Sequence, residues 1–183
     1  RHAPDRVMVG EIRDPETAQI AIQAALTGHL VFTTVHANNV FDVLGRFTHM
    51  GVDIYSFAAA LNGVVAQRLV RLNCNHCSVE VIPSAEELAA SRIDGELLAR
   101  ARFRAGRGCG NCRGTGYKGR TAIAEVMVLN DELREMIVER APIRALKEMA
   151  RRNGTRFLRE AAVELAVSGQ TSLEEINRVT FVA

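Results

Sequence analysis

Along the first 70 residues, short β-branched runs alternate with longer amphipathic stretches. Val7-Met8-Val9 reads as a strand ending at Gly10. Asp14-Pro15-Glu16 then supplies a capping side chain, a proline suited to the first helical position and an acid in the first turn. The pattern predicts a helix from Pro15 to about Leu26, closed by Thr27-Gly28, because glycine tolerates the left-handed conformation of a C-terminal cap. Leu30-Val31-Phe32-Thr33-Thr34-Val35 follows as a buried strand with His36 at its end. Asn39 caps a helix that runs to Met50 and stops at Gly51, and a third helix, roughly Tyr55 to Val70, carries apolar side chains nearly all round. Strand, helix, strand, helix with short links predicts an α/β fold, a parallel sheet covered by helices.

Residues 71–120 break this rhythm. They hold all four cysteines and seven of the fourteen glycines, and residues 91–120 carry eight basic side chains against two acidic ones. A small separate lobe with a helical insert at about Ala85 to Arg104 is the simplest reading. The basic run either faces a polyanion or is an ordinary solvated surface. Past the lobe, Thr121 to Leu129 reads as a further strand, alternating weakly and therefore buried, and helices follow near 131–140, 143–153 and 156–167. Ser172 with Glu175 fits a capping box for a last helix. Phe157, Leu158, Val163 and Leu165 are read as core or subunit-interface positions.

Composition narrows the class. Hydrophobic residues make up 48% and charged residues 24%, with a net charge of +2, which is ordinary globular usage and excludes disorder and collagen-like repeats. The longest stretch free of Asp, Glu, Lys and Arg, Thr17 to Phe41, is interrupted by Thr, Gln, His and Asn, so no membrane-spanning helix is expected. Arg1-His2-Ala3-Pro4 shows neither an initiator Met nor a basic-then-apolar leader, and reads as a start inside a domain.

Cys74-Asn75-His76-Cys77 and Cys109-Gly110-Asn111-Cys112 are two C-x-x-C pairs. Each puts two sulfurs on one tight turn, and two such turns face to face make the closed tetrahedral site that structural Zn2+ prefers. The alternatives are two disulfides or four unrelated thiols, with disulfides disfavoured in a reducing compartment. His76 lies between two of the ligands and is read as an exposed neighbour of the site. Cys109-x-x-Cys112-x-Gly114-x-Gly116 also matches a chaperone zinc repeat, which normally recurs and here occurs once.

Glu11 follows the first strand directly, at the end where open α/β sheets bind ligands. A carboxylate there can hold Mg2+ through water and orient or deprotonate a water attacking a γ-phosphate. His36, at the matching place on the next strand, could contact a phosphate. The plainer alternatives are an ion pair of Glu11 with Arg13 and hydrogen-bonded histidines at a sheet edge for His36 and His29; on spacing alone these come first.

Beyond spacing, a series of segments resembles one family. Val9-Gly10-Glu11-Ile12-Arg13-Asp14 with Glu16-Thr17-Ala18, then Thr27-Gly28-His29-Leu30-Val31, Thr34-Val35-His36-Ala37-Asn38, Ala66-Gln67-Arg68-Leu69-Val70-Arg71 and Cys112-x-Gly114-Thr115-Gly116-Tyr117-x-Gly119-Arg120 are similar to the ATPases of type II secretion and type IV pilus assembly. The resemblance covers nearly the whole chain in the family's order. It implies part of a RecA-like P-loop NTPase core with an inserted four-cysteine zinc lobe, which pilus-retraction relatives lack, and a C-terminal helical subdomain. The expected divisions are 1–71 for the core part, 72–120 for the lobe, and 121–183 for a last core strand with the helices. Val7 to Glu11 would be the Walker B strand, Glu11 and His36 catalytic, and Gly28, His29 and Arg13 on the nucleotide side. Cys74, Cys77, Cys109 and Cys112 would hold Zn2+, with ATP and Mg2+ as cofactors of the intact parent.

The resemblance further implies a motor that powers protein secretion or pilin-like filament assembly, type II secretion being preferred. It would act as a homo-oligomer, a hexamer, in the cytoplasm on the inner face of the bacterial inner membrane, with inner-membrane components of the machine as partners. One departure stands out: the P-loop G-x-x-x-x-G-K-[ST] is absent from the sequence, and the family carries it before the segment matching Val7. The chain alone is therefore expected to be inactive. The competing reading is a zinc-stapled basic module that docks on a partner protein or nucleic acid through Arg100 to Arg120. Only Phe103 and Tyr117 offer stacking surface there, so nucleic acid is not expected.

Overall fold

The computed structural model describes residues 4–93 and 95–180, so the opening Arg1-His2-Ala3 lies outside the described residues, as does residue 94 within the expected insert. The chain runs β1 (Arg6–Val9), α1 (Pro15–Leu26), β2 (Leu30–Thr33), α2 (Val40–His49), α3 (Ile54–Ala60), β3 (Gly63–Asn73), β4 (Ser78–Glu80), α4 (Ala85–Ser91), α5 (Gly95–Ala99), β5 (Arg104–Gly106), β6 (Tyr117–Val128), α6 (Asp131–Val138), α7 (Ile143–Arg152), α8 (Leu158–Val167) and α9 (Leu173–Thr180). Two compact units result. One takes the chain through Ala66 with Val126–Thr155; the other takes Gln67–Glu125 and the chain from Arg156 onward. The paired strands β3 and β6 each have residues in both.

In the first unit β1 and β2 pair in parallel, Arg6 opposite Leu30 and Val9 opposite Thr33, with α1 as the crossover. Asp14 starts α1 as its chemistry dictates: Oδ1 accepts from Thr17 N and Oδ2 from Thr17 Oγ1, both at 2.8 Å. Asn39 Oδ1 does the same for α2, accepting from Phe41 N at 2.9 Å and Asp42 N at 3.0 Å. Gly51 stands just past α2 at φ +71°, a conformation that strains any side chain with a Cβ. Ile12, Ala18, Ile22, Phe47 and Phe57 form the core, with the two phenylalanine rings stacked at 4.4 Å. Arg134 on α6 donates to the carbonyls of Ala58 (3.1 Å), Leu61 (3.0 Å) and Leu129 (3.2 Å), giving partners to carbonyls at the end of α3 that the helix itself leaves open.

Three sequence expectations are corrected here. β2 is four residues long and not buried: Phe32 is 53% exposed and Met8 on β1 69%, because α1 packs against one side of the pair and nothing among the described residues covers these side chains. The expected helix from Tyr55 to Val70 is a short helix and a strand. Asn62-Gly63 breaks the helix, and from Gly63 to Leu69 exposed positions alternate with half-buried ones, the twofold period of a strand. β6 is likewise open on one side, with Ile123, Glu125 and Met127 buried and Ala124, Val126 and Val128 exposed.

In the second unit β4 and β5 form an antiparallel ladder, Ser78 opposite Gly106. The expected helical insert forms as two short helices ahead of β5: Ser84 and Glu87 cap α4 reciprocally, and Arg92 in the left-handed region ends it. Buried Glu125 accepts from Leu158 N at 3.0 Å, placing a carboxylate at the start of α8. Leu158, Val163, Ala166, Ile176 and Val179 fill the space between α8 and α9. At Ser172 half of the expected capping box forms: Ser172 Oγ accepts from Glu175 N at 3.2 Å, but the Glu175 carboxylate turns instead to two arginines. No helix among the described residues is long and apolar enough to cross a membrane.

Candidate catalytic and metal sites

Glu11 and His36 are brought together by the backbone beyond the two parallel strands. Ile12 N donates to Thr34 O at 3.0 Å and Thr34 Oγ1 donates to Gly10 O at 2.6 Å, so the chain leaving β1 stays in step with the chain leaving β2. Glu11 Oε2 pairs with Arg13 Nη2 at 2.5 Å, and His36 Nε2 stands 3.2 Å from Oε1. The Arg13 hydrogen bond, the largest effect, holds the Glu11 carboxyl below its ordinary value against the opposing effect of burial, with the charges of Arg13, His36 and Arg46 adding to it. It is an anion at neutral pH.

Oε1 is buried and accepts no hydrogen bond among the described residues; the imidazole contact is close but not aligned as a hydrogen bond. One carboxylate oxygen is thus fixed and the other, shielded from solvent beside the His36 imidazole, keeps an unused acceptor position; a carboxylate so held can orient a water, or a water of a hydrated Mg2+, once one reaches it. An open cleft of about 1260 Å3 alongside is lined by Arg13, His36, Asp42, Arg46 and Arg140 among others. Its three arginines against one aspartate favour anions. Gly28 and His29 lie at the other end of β2. Gly28 N donates to Ala25 O at 3.1 Å, and His29 Nδ1 is 3.1 Å from Ala24 O, which ties the start of β2 to the end of α1.

The cysteines converge in the second unit. Cys74 follows β3 in a tight turn in which Cys77 N and Ser78 N both donate to Cys74 O (3.1 and 2.8 Å); Cys109 O likewise accepts from Cys112 N (3.2 Å) and Gly114 N (3.0 Å). β4 and β5 bring the turns together, and the packing is close enough to demand glycine: a Cβ on Gly106 would sit 2.0 Å from Gly116 O. Sγ–Sγ separations are 3.9 Å for Cys74–Cys109, 3.8 Å for Cys77–Cys112 and 3.8 Å for Cys109–Cys112, and all four sulfurs lie within 4.8 Å of one another.

A tetrahedron with metal–sulfur bonds of about 2.3 Å has edges of about 3.8 Å, so the four thiols fit a tetrahedral metal ion; they are free cysteines and not disulfides. Burial pushes the Cys77 thiol up to about 12. Burial works against ionisation at Cys112 as well, yet the N–H groups of Cys109 and Gly116, with the neighbouring thiols, bring it down to about 6. Four sulfurs close the site, leaving no position for a reacting water. His76 is exposed and outside the cluster.

Two features were not legible in sequence. Arg46 reaches Glu11 electrostatically from α2, where only helix packing turns it toward the strand ends. Arg71 closes the Ala66-to-Arg71 motif, but its partner Glu175 is 104 residues away.

Comparison with known proteins places these features. The family described as "Type II/IV secretion system protein" matches residues 1–178. The chain is 49% identical over 176 residues to the type IV pilus assembly ATPase PilB of Thermus thermophilus, covering 96% of this chain and 20% of that protein. It is 44% identical over 180 residues to the type II secretion system protein HxcR of Pseudomonas aeruginosa, covering 98% of this chain and 34% of that protein. The chain thus spans about a fifth to a third of these curated relatives. Among solved structures, the Legionella pneumophila ATPase DotB superposes with a TM-score of 0.64 at 21% identity over 98% of this chain and 39% of that one, a likeness of fold. With a family match over nearly its whole length, a strand-end carboxylate on an α/β core and a four-cysteine cluster, this chain belongs to the type II/IV secretion system protein family.

Proposed function

We propose that the chain is part of an ATP-hydrolysing motor subunit that powers protein secretion or assembly of a pilin-like filament. The observation that carries this reading is Glu11: an ionised carboxylate past the end of a parallel strand, one oxygen fixed by Arg13 and the other buried without a hydrogen-bond donor. In the reading, Glu11 orients and deprotonates the attacking water, Arg13 keeps it ionised and in place, and His36 faces the γ-phosphate. ATP would supply the phosphoryl group and Mg2+ the charge that neutralises it. The sequence has no P-loop lysine or phosphate-cradling glycine loop, so these come from elsewhere in a longer parent, and the 183-residue chain alone turns over no ATP.

Cys74, Cys77, Cys109 and Cys112 hold one structural Zn2+, a reading supported by their tetrahedral spacing. Assembly as a hexamer on the inner face of the bacterial inner membrane, with membrane components of the machine as partners, belongs to the same proposal and rests on family membership.

The test is ATP turnover by a longer protein in which a P-loop-bearing segment of a relative precedes this chain, with and without Glu11→Gln. Loss of at least about a hundredfold in turnover is expected, the usual worth of a general base. Unchanged turnover in the variant would sink the assignment.

A further inference from the structure

The second unit contains a charge network that neither the proposed nucleotide site nor the metal centre uses. Glu175 on α9 is wholly buried, and its carboxylate accepts five hydrogen bonds: from Arg71 N (2.9 Å), Nε (2.9 Å) and Nη2 (2.6 Å), and from Arg178 Nε (2.8 Å) and Nη2 (2.7 Å). The Arg71 guanidinium also lies over the Tyr117 ring, 4.1 Å from its centroid, and Tyr117 is itself held by a 2.5 Å hydrogen bond to Ser172 Oγ. Two guanidinium groups are thereby locked in place. Each keeps an Nη1 group with no partner among the described residues.

Both arginines line an open cleft of about 390 Å3, together with Arg120 of β6 and Leu69 of β3. The Arg120 side chain is exposed and makes no hydrogen bond or ion pair among the described residues. The one carboxylate between these cations points inward and its oxygens are occupied. Glu174, exposed on the same helix, is the remaining acid whose charge reaches Arg178, and it does not line the cleft. Three like charges around one open space repel each other unless an external anion joins them.

We propose that the Arg71–Arg120–Arg178 cleft is a binding site for a phosphoryl oxyanion. Charge-assisted bonds from guanidinium are among the strongest available to such a group, and two of the three donors are already ordered, so little freedom is lost on binding. Donors converging from three side chains suit the three terminal oxygens of a tetrahedral phosphoryl group, which carries a charge of about −1.5 to −2, better than the two oxygens of a carboxylate. The chemistry is shared by a free di- or polyphosphate and by the phosphomonoester headgroup of a lipid.

The experiment uses the whole chain and two probes: calorimetric titration with pyrophosphate, and co-sedimentation with phosphatidate-containing vesicles against pure phosphatidylcholine vesicles. The variants are Arg120→Gln, Lys118→Gln and Arg13→Gln. Lys118 is exposed on the same strand and does not line the cleft, while Arg13 lines the separate basic cleft beside Glu11. Arg120 has no partner to lose, so its variant should keep the native circular dichroism spectrum.

Pyrophosphate should bind, with affinity falling at least about tenfold in Arg120→Gln and changing less than about twofold in Lys118→Gln and Arg13→Gln. Binding to phosphatidate vesicles alone, lost in Arg120→Gln, would support the cleft and assign the headgroup as its source. Failure of both probes, equal losses in Arg120→Gln and Lys118→Gln, or a loss confined to Arg13→Gln would overturn the proposal. None of these outcomes bears on ATP turnover, so the motor reading stands or falls separately.

Discussion

Replacing Glu175 by Gln keeps the shape of a wholly buried side chain and removes its charge from between Arg71 and Arg178. Burial by itself would raise the Glu175 carboxyl; hydrogen bonds from Arg178 and Arg71 more than offset this and bring it down to about 2 from an ordinary 4.5. At about 1.4 kcal/mol for each tenfold in proton affinity, that depression corresponds to roughly 3 kcal/mol of native-state stability. Arg178 is 54% exposed, and solvent screening of that arm puts the expected loss in the variant at roughly 2–3 kcal/mol.

A carboxyl whose proton affinity falls on folding stabilises above its unfolded-state value and loses that contribution as pH falls toward its folded one. The wild-type chain should therefore weaken between about pH 5 and about pH 2 through this group, and Glu175→Gln should lack that component. Urea unfolding followed by far-ultraviolet circular dichroism at pH 7 and pH 3 measures both effects. The gap between the two proteins should narrow at pH 3 to about 1 kcal/mol. A loss below about 0.5 kcal/mol at pH 7, or a gap of the same size at both pH values, would refute the reasoning.

Four further outcomes are expected. Metal analysis should find one zinc per chain, released by a thiol-reactive mercurial and absent in Cys112→Ser; a metal-free wild-type chain with four reactive thiols would remove the zinc assignment. Gly106→Ala should lower zinc retention, because its methyl would collide with Gly116 O and force the two cysteine turns apart; full retention would show that the lobe can relax. Arg134→Met should cost about 2 kcal/mol in thermal or urea unfolding by leaving the carbonyls of Ala58 and Leu61 unpaired, and a near-neutral effect would mean that water replaces the guanidinium. Asn39→Ala should cost about 1 kcal/mol and Asn39→Gly a few tenths, as expected where one side chain accepts two helix-start N–H groups; equal losses would point to packing and not to the cap.

Local chemistry was legible because it depends on neighbours in the chain. Asp14-Pro15 and Asn39 specify where α1 and α2 begin, since an N-cap needs only its own side chain and the amides two or three residues on. The C-x-x-C spacings specify the four sulfurs, and Val7 to Glu11 specifies a carboxylate at a strand end. What failed were judgements of environment. The stretch from Tyr55 to Val70 is apolar enough for a buried helix or a strand, and tertiary pairing with β6 decides for a strand after Gly63. β2 reads as a buried apolar run and the β6 stretch from Thr121 alternates only weakly in sequence, yet their exposed faces follow from what packs beside them, which no local pattern records.

The sequence by itself determined the starts of α1 and α2, the cysteine quartet and the identity of the strand-end acid, because each is encoded within a few residues. Only the tertiary structure decided that Arg13 and His36 meet on Glu11. It also decided that α8 and α9 join the cysteine-bearing unit and that Glu175 abandons its capping amide for Arg71, 104 residues away. The physical reason is that a charge buried by folding must find a counter-charge wherever the fold brings one, and that choice is made in space and not along the chain.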